Sequence, residues 1–182
     1  MSDLLITGGR IVDGTGNPWF YGDVAVTGDI IERIAPPGTI DPGTSTTVID
    51  ATDHVVSPGF IDIQSHSIRT FFTDRRSLSK VTQGVTTEIM GELWTPAPVG
   101  GQILTALDSS LAERGDEDIP EWVELAKGWS RFGDWLAELE KRTVSVNFGS
   151  FLGGGTLREY ACGLRMGDAT EDEIAVMQRA VA

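Results

Sequence analysis

The sequence predicts an α/β protein in two parts, because two different residue patterns follow one another along the 182-residue chain. Residues 1–57 consist of short β-branched runs that Gly- and Pro-containing turn signals interrupt, which is typical of an antiparallel sheet. Residues 58–182 alternate strand-like runs with helical segments, which is typical of βα units with a parallel sheet. We therefore expect a domain boundary at Pro58.

The first part contains four strand-like runs: "DLLITGG", "RIVDGTGN", "GDVAVTGDIIERIAP" and "TTVIDATDHVV". Asp-Gly, Gly-Asn-Pro and Pro-Pro-Gly signals break these runs, and no helical period fits the region. These runs predict the strands of an antiparallel sheet. His54 lies in a turn-rich stretch, where a surface or linker histidine is expected.

The second part contains three strand-like runs, "GFIDIQSH", "VTTEIMGE" and "TVSVNFGS". We expect a short helix in "SLSKVTQG", amphipathic helices over residues 101–112 and 130–142, and a last helix that begins with a capping box of Thr170 and Glu173. A closed (β/α)₈ barrel needs eight strands and about 250 residues. Three parallel strands with exposed edges therefore predict a domain that something else completes.

The composition favours a folded protein that binds small molecules or other proteins. The formal net charge of −13 argues against nucleic-acid and anionic-membrane partners, since these attract Lys and Arg. The single cysteine, Cys162, excludes an internal disulfide and is expected to be buried. No apolar run approaches the ~18 residues of a membrane-spanning helix, and the start of the chain lacks a secretory signal pattern, so we expect a cytoplasmic location.

Three polar residues fall at alternate positions in "PGFIDIQSHS", at the end of the first parallel strand. In an extended chain Asp62, Gln64 and His66 would point to the same side, at the edge where parallel α/β folds place their active sites. His66 is a ready zinc ligand, whereas Gln64 is a neutral and poor one. The alternative is that His66 forms a hydrogen bond within a polar core and Asp62 caps a turn.

At the next two strands, carboxylates and glycines could also form a binding site for a metal or an anion. Glu92 follows the second strand, where a carboxylate could bridge two metals; a solvated loop carboxylate is the alternative. Glu88 falls earlier on that strand and could face the same interior, more deeply. After the third strand, "GGGT" could hold an anion on backbone N–H groups that include Gly154 and Gly155; a tight turn is the alternative.

Several of these segments together resemble the amidohydrolase superfamily, specifically its D-aminoacylase (N-acyl-D-amino-acid deacylase) branch. The superfamily signal is "PGFID" and a metal-binding pair after a Gly-punctuated sheet; "GVTTEIMGE" and "NFGSFLGGGTLR" point to the branch. The resemblance implies that residues 58–182 are the first three βα units of a (β/α)₈ TIM-like barrel. It also implies that residues 1–57 are the N-terminal part of a small β-sandwich domain.

The resemblance further implies one or two divalent metals, usually zinc, that activate water for attack on an amide carbonyl. Gln64 and His66 match the family's His-x-His pair, so the first histidine is replaced. Glu92 matches a bridging cysteine of D-aminoacylases. The stretch of Gly153, Gly154 and Gly155 matches a Gly-His-Gly loop, so a substrate-side histidine is missing, and Gly154 and Gly155 are left as weak candidates for substrate binding.

The family's remaining ligands, two histidines, and its catalytic aspartate would lie after residue 182. The resemblance thus implies the N-terminal portion of a metal-dependent C–N (amide) hydrolase that acts on a small amide. A C-terminal amidohydrolase portion or subunit would complete it in a heteromer. A non-catalytic or degenerate subunit with a binding or assembly role is the alternative, and a fragment of one longer enzyme is a third reading.

Overall fold

The computed structural model describes residues 2–103 and 120–181. The chain divides into two compact units, Met1–Pro58 and Gly59–Ala182. A helix is predicted over residues 101–112, and all of it after residue 103 lies outside the described residues. Within the described ranges, no helix combines the length and apolar character that crossing a membrane requires.

The first unit is a mixed sheet rather than the predicted antiparallel one. Its central strand β1 pairs antiparallel with β2, and β2 with β3, but β4 and β5 run parallel to β1. The prediction fails because the connection over residues 36–44 carries the chain from β3 to the far side of β1, so that β4 starts at the same end as β1. The strands are β1 (Ser2–Ile11), β2 (Phe20–Thr27), β3 (Ile30–Ala35), β4 (Ser45–Asp50) and β5 (Val55–Val56).

A small apolar cluster and one buried carboxylate hold this sheet together. Leu5, Ala25, Ala35 and Ile40 form the cluster. The carboxylate of Asp23 accepts the backbone N–H groups of Gly8 at 2.8 Å and Gly38 at 2.7 Å, so both of its oxygens are satisfied. Large apolar side chains nevertheless stay exposed on β3 and β4: Ile30, Ile31, Ile34, Val48 and Ile49. The described residues form one sheet layer here, and the sandwich stays a prediction.

The second unit confirms the predicted α/β character, with a three-stranded parallel sheet in the order β6-β7-β8. Helices precede and follow its strands. The capping box predicted at Thr170 and Glu173 is confirmed at the start of the last helix. The strands are β6 (Phe60–Asp62), β7 (Val85–Met90) and β8 (Asn147–Ser150). The helices are α1 (Ile68–Thr73), α2 (Leu78–Val81), α3 (Pro120–Ala126), α4 (Phe132–Arg142), α5 (Gly154–Cys162) and α6 (Glu171–Val181).

An aromatic core joins the helices to this sheet. Phe72 packs against Trp122 and Trp129, with ring centroids 5.7 and 5.6 Å apart. Met90 of β7 and Trp135 of α4 are fully buried in the same cluster. The edge strand β6 differs, since Phe60 and Ile61 stay 60% and 62% exposed. The sheet is therefore well covered where helices pack on it and uncovered along β6.

Candidate metal centre

Strand β6 ends earlier than its sequence pattern predicts, which changes the direction of its polar residues. The strand stops at Asp62, and Gln64 and His66 lie in the loop that follows. One carboxylate oxygen of Asp62 accepts the N–H of Gln64 at 3.1 Å, and this Asx-type turn bends the chain out of the extended conformation. The prediction that all three side chains leave the same side is therefore wrong for Asp62, and the alternative that it caps a turn is confirmed.

The loops after β6 and β7 bring two candidate ligands into contact. The side-chain amide of Gln64 donates a hydrogen bond to Oε2 of Glu92 at 2.5 Å, and both residues are exposed. The sequence therefore correctly places these positions at the carboxyl edge of neighbouring parallel strands. An amide N–H on one oxygen orients the carboxylate, and no described residue forms a hydrogen bond with the other oxygen.

His66 is exposed, and its imidazole makes no hydrogen bond with any described residue. Over residues 2–103 and 120–181, no three His, Cys, Asp or Glu side chains form a group that could hold a metal. The ligand roles predicted for His66, Glu92 and Gln64 stay predictions.

Close backbone packing fixes the loop that carries Glu92. Gly91 has φ +83°, and a Cβ built there would lie 2.0 Å from the carbonyl oxygen of Phe151. A side chain at this position would strain the backbone and strike the neighbouring loop. Glycine at residue 91 therefore lets the two loops meet and sets where Glu92 leaves the sheet.

The glycine-rich stretch after β8 packs on the same loop. A Cβ at Gly153 would lie 2.7 Å from the carbonyl oxygen of Leu93, and the N–H of Gly155 donates to that oxygen at 2.8 Å. The N–H of Gly154 makes no hydrogen bond with the described residues. Close approach thus accounts for two of the glycines, and the substrate role predicted for Gly154 and Gly155 stays a prediction.

A buried polar network lies beneath the loop that carries His66. Glu88 is fully buried, and the hydroxyl of Ser65 donates a hydrogen bond to its Oε2. The ammonium of Lys80 lies 2.5 Å from Oδ2 of Asp62 and 3.6 Å from Oε2 of Glu88. The hydrogen bond from Lys80 is the main reason why the pKa of Asp62 is lowered, and the same contact raises the pKa of Lys80.

Sequence reasoning missed Lys80 and Ser65. The run "SLSKVTQG" indicated a short helix but gave no sign that one of its polar side chains reaches β6 and β7. The sequence predicts that Glu88 of β7 could face the same interior as Glu92, whereas in the structure its carboxylate pairs with Lys80 and Ser65.

A cleft of about 340 Å³ opens beside the loop of Glu92. Leu93, Gly155 and Arg158 line it together with Leu164 and Met166, whose side chains are 79% and 90% exposed. The guanidinium of Arg158 donates to the carbonyl oxygens of Arg165 and Gly167. The cleft therefore offers mainly apolar surface to a molecule bound next to Glu92.

The predictions of a buried cysteine and a surface histidine outside the candidate site are confirmed. Cys162 is buried in α5. His54 is exposed, and its Nδ1 lies 2.8 Å from the carbonyl oxygen of Thr52.

Comparisons with known proteins place the chain beside a group of deacylases, although no family model matches it. It is 32% identical to a D-aminoacylase of Alcaligenes xylosoxydans xylosoxydans over 97% of its own length and 34% of the relative's. Two solved structures of D-aminoacylase match it with TM-scores of 0.78 and 0.75 at 29% identity, over 99% of this chain and 35% of theirs. The second of them concerns a binuclear metal centre with one-metal activation and second-metal attenuation.

A third solved structure is an N-acyl-D-glutamate deacylase from Bordetella bronchiseptica in complex with zinc and a phosphonate inhibitor that mimics the tetrahedral intermediate. It matches with a TM-score of 0.74 at 26% identity, over 98% of this chain and 35% of that one. This chain thus spans about a third of the length of the proteins it matches.

Proposed function

Because this chain matches the N-terminal portion of the D-aminoacylase branch of the amidohydrolase superfamily, we propose that it carries the first ligands of a metal-dependent hydrolase of amide C–N bonds. The observation that supports this most strongly is the contact between Gln64 and Glu92. It joins the loops of two neighbouring parallel strands at their carboxyl edge, which is where α/β enzymes gather their chemistry.

The side chains at this edge are of the types that bind zinc, but the described residues supply too few of them for a complete site. An imidazole and a carboxylate, from His66 and Glu92, are ligands that zinc accepts. The described residues offer no group of three donors, so we assign the remaining ligands and the catalytic residues to a C-terminal portion. When bound, a divalent metal polarises an amide carbonyl and lowers the pKa of water.

We propose that one metal, rather than two, binds this edge tightly, because Gln64 occupies a ligand position with an amide that donates its N–H to Glu92. Changing Gln64→His supplies a second imidazole, and the metal content should rise from one to two per completed assembly. By completed assembly we mean this chain together with its C-terminal portion. Elemental analysis after dialysis measures the content.

The exposed Gln83, whose side-chain amide donates to the carbonyl oxygen of Ser79, provides the control. Gln83→His should leave the metal content at one. Two tightly held zinc ions in the unchanged assembly would contradict the one-metal proposal.

The need for a C-terminal portion rests on the uncovered part of the second unit. Phe60, Ile61, Ile63 and Phe151, at β6 and next to β8, are between 60% and 72% exposed. Strand edges flanked by apolar side chains associate unless something covers them. Expressed alone, the chain should self-associate or melt without cooperativity; expressed with the C-terminal portion, it should form a complex that melts cooperatively. Light scattering and calorimetry measure this, and a lone chain that is monomeric and melts cooperatively would contradict completion.

We propose N-acyl-D-amino acids as the substrate class, with the acyl chain in the apolar cleft beside Leu93. Amine release from matched N-acyl-D- and N-acyl-L-amino acids, with and without a chelator, tests this. The assembly should cleave the D-series, and the chelator should abolish the activity. Cleavage that is indifferent to the chelator would exclude a metal-dependent hydrolase.

One observation favours a second candidate function, a non-catalytic subunit. Gln64, whose neutral amide is a poor metal ligand, stands at a position where a ligand is expected. A stable complex that holds no metal and cleaves no amide would establish this alternative.

A further inference from the structure

The loop that carries Gln64 and His66 alternates exposed and buried residues. Ser65 and Ser67 are 2% and 7% exposed. Gln64, which precedes them, and His66, which lies between them, face solvent. The N–H of Ser65 donates to the carbonyl oxygen of Ile89 at 2.9 Å, which ties the loop to β7. The two buried serines thus hold the backbone on both sides of His66.

The hydroxyl of Ser65 connects the two buried serines to Glu88. Ser65 Oγ accepts the N–H of Ser67 at 3.2 Å and donates to the carboxylate of Glu88. Lys80 holds Glu88 and also Asp62, the residue at which β6 ends. The chain from residue 62 to residue 67 is therefore attached at three points, Asp62, Ser65 and Ser67, to one network that is buried at Glu88 and partly exposed at Lys80.

The charge of this network argues against a purely stabilising role. It contains two carboxylates and one ammonium, and Oε1 of the fully buried Glu88 has no hydrogen-bond partner among the described residues. Buried ion pairs contribute less stability than apolar packing of the same volume, and their best-attested benefit is to specify one arrangement. Here the arrangement that is specified is the loop with the candidate ligands.

We propose that Ser65, Glu88 and Lys80 are positioning residues that orient His66 for metal binding and hold Gln64 against Glu92. This inference rests on the proposed function. None of the three is a candidate ligand; they act through the loop backbone, as outer-shell hydrogen bonds do when they orient metal ligands.

The test is Ser65→Ala in the completed assembly, with Ser77→Ala as the matched control. Ser77 is equally buried, but its hydroxyl makes no hydrogen bond with the described residues. Ser65→Ala should weaken Zn²⁺ affinity by about 10- to 100-fold, the usual cost of losing an outer-shell partner, and should alter the absorption spectrum of bound Co²⁺. Ser77→Ala should change neither.

Hydrogen exchange supplies a readout that needs no metal. In the metal-free assembly, Ser65→Ala should remove the protection of the Ser67 amide, while the amide of Gly155, which donates to Leu93, keeps its protection. If Ser65→Ala does not yield folded protein, Glu88→Ala tests the metal site with Ser65 intact, and the same loss of Zn²⁺ affinity and the same change in the Co²⁺ spectrum are expected.

Two outcomes separate the positioning role from the proposed function. If the unchanged assembly binds Zn²⁺ and Ser65→Ala or Glu88→Ala binds it as tightly with the same Co²⁺ spectrum, the positioning role is overturned and the proposed function stands. If the unchanged assembly binds no metal, the proposed function fails and the metal-positioning role fails with it. The exchange experiment still decides whether the network holds the loop.

Discussion

Two neighbouring loops carry the candidate ligands, and they are held in place by different means. The loop after β6, with Gln64 and His66, is tied down by polar side chains that converge on Glu88. The loop after β7, with Glu92, is held by backbone packing at glycines that admit no side chain. The first depends on charges and hydroxyl groups and the second on shape.

This difference means that the two loops respond to different changes. A charge-held loop is sensitive to protonation and to the loss of a single polar atom, because a buried charge without its partner is costly. A glycine-packed loop is indifferent to pH but does not tolerate an added methyl group. Gln64 and Glu92 are in contact between the two loops, so a displacement of either loop would move the candidate metal centre.

The largest effect is expected from Gly91→Ala, which breaks the glycine-packed loop. The added methyl combines a positive φ with a clash against the carbonyl oxygen of Phe151, and the free energy of unfolding should fall by about 4 kcal/mol. Urea unfolding of the completed assembly, followed by tryptophan fluorescence, measures the loss.

Gly167→Ala is the control for Gly91→Ala. Gly167 also has a positive φ, +98°, but a Cβ there would meet only a side-chain nitrogen of Arg165 at 3.9 Å. We expect a cost of about 1 to 2 kcal/mol from backbone strain alone. Equal losses at the two glycines would show that packing against Phe151 contributes nothing.

A smaller loss is expected from Lys80→Met, which breaks the charge-held loop. The substitution leaves Asp62 and the buried Glu88 without their shared cation, and the free energy of unfolding should fall by about 3 kcal/mol. Lys141→Met is the control, because Lys141 is 75% exposed and lies 3.8 Å from Glu138, and a surface pair of this kind contributes about 0.5 kcal/mol. The same unfolding assay applies, and losses of similar size for both lysines would contradict a special role for Lys80.

The contrast between the loops also explains how far the sequence could predict the site. Glycines next to a strand end are visible in one sequence, and they correctly marked where the loop of Glu92 and the start of α5 lie. A charge network is not visible, because it depends on which residues of separate elements face each other. Asp62 and Glu88 are register partners of β6 and β7, and Lys80 comes from a helix whose polar residues resemble a solvated surface.

The same limit applies to the first unit. The antiparallel pairing of β1, β2 and β3 agrees with the predicted sheet, although β1 joins the first two predicted runs and the third run contains both β2 and β3. The parallel pairing of β4 with β1 depends on the path of a connection over residues 36–44, and local residue preferences do not determine that path.

The smallest effect is a pH dependence at the start of α6. It compares a charge-held segment with a glycine-packed one at a place far along the chain from the candidate ligands. Glu173, at the start of α6, accepts hydrogen bonds from the N–H of Thr170 and from Arg165, and these lower its pKa from 4.5 to about 2. Because the pKa of the folded form lies below the ordinary value, the contribution to stability is present above pH 4.5 and is lost as the pH falls towards 2.

Hydrogen exchange, corrected for the intrinsic effect of pH on the rate, should therefore show residues 170–174 losing protection over that interval. The glycine-packed residues 150–156, where the N–H of Gly155 donates to a backbone carbonyl that does not titrate, should keep theirs. Glu173→Gln should remove the pH dependence of the first segment, since an amide can still accept from Thr170 but does not titrate in this range. If both segments lost protection together in the unchanged protein, charge-held and glycine-packed segments would not differ in their response to acid.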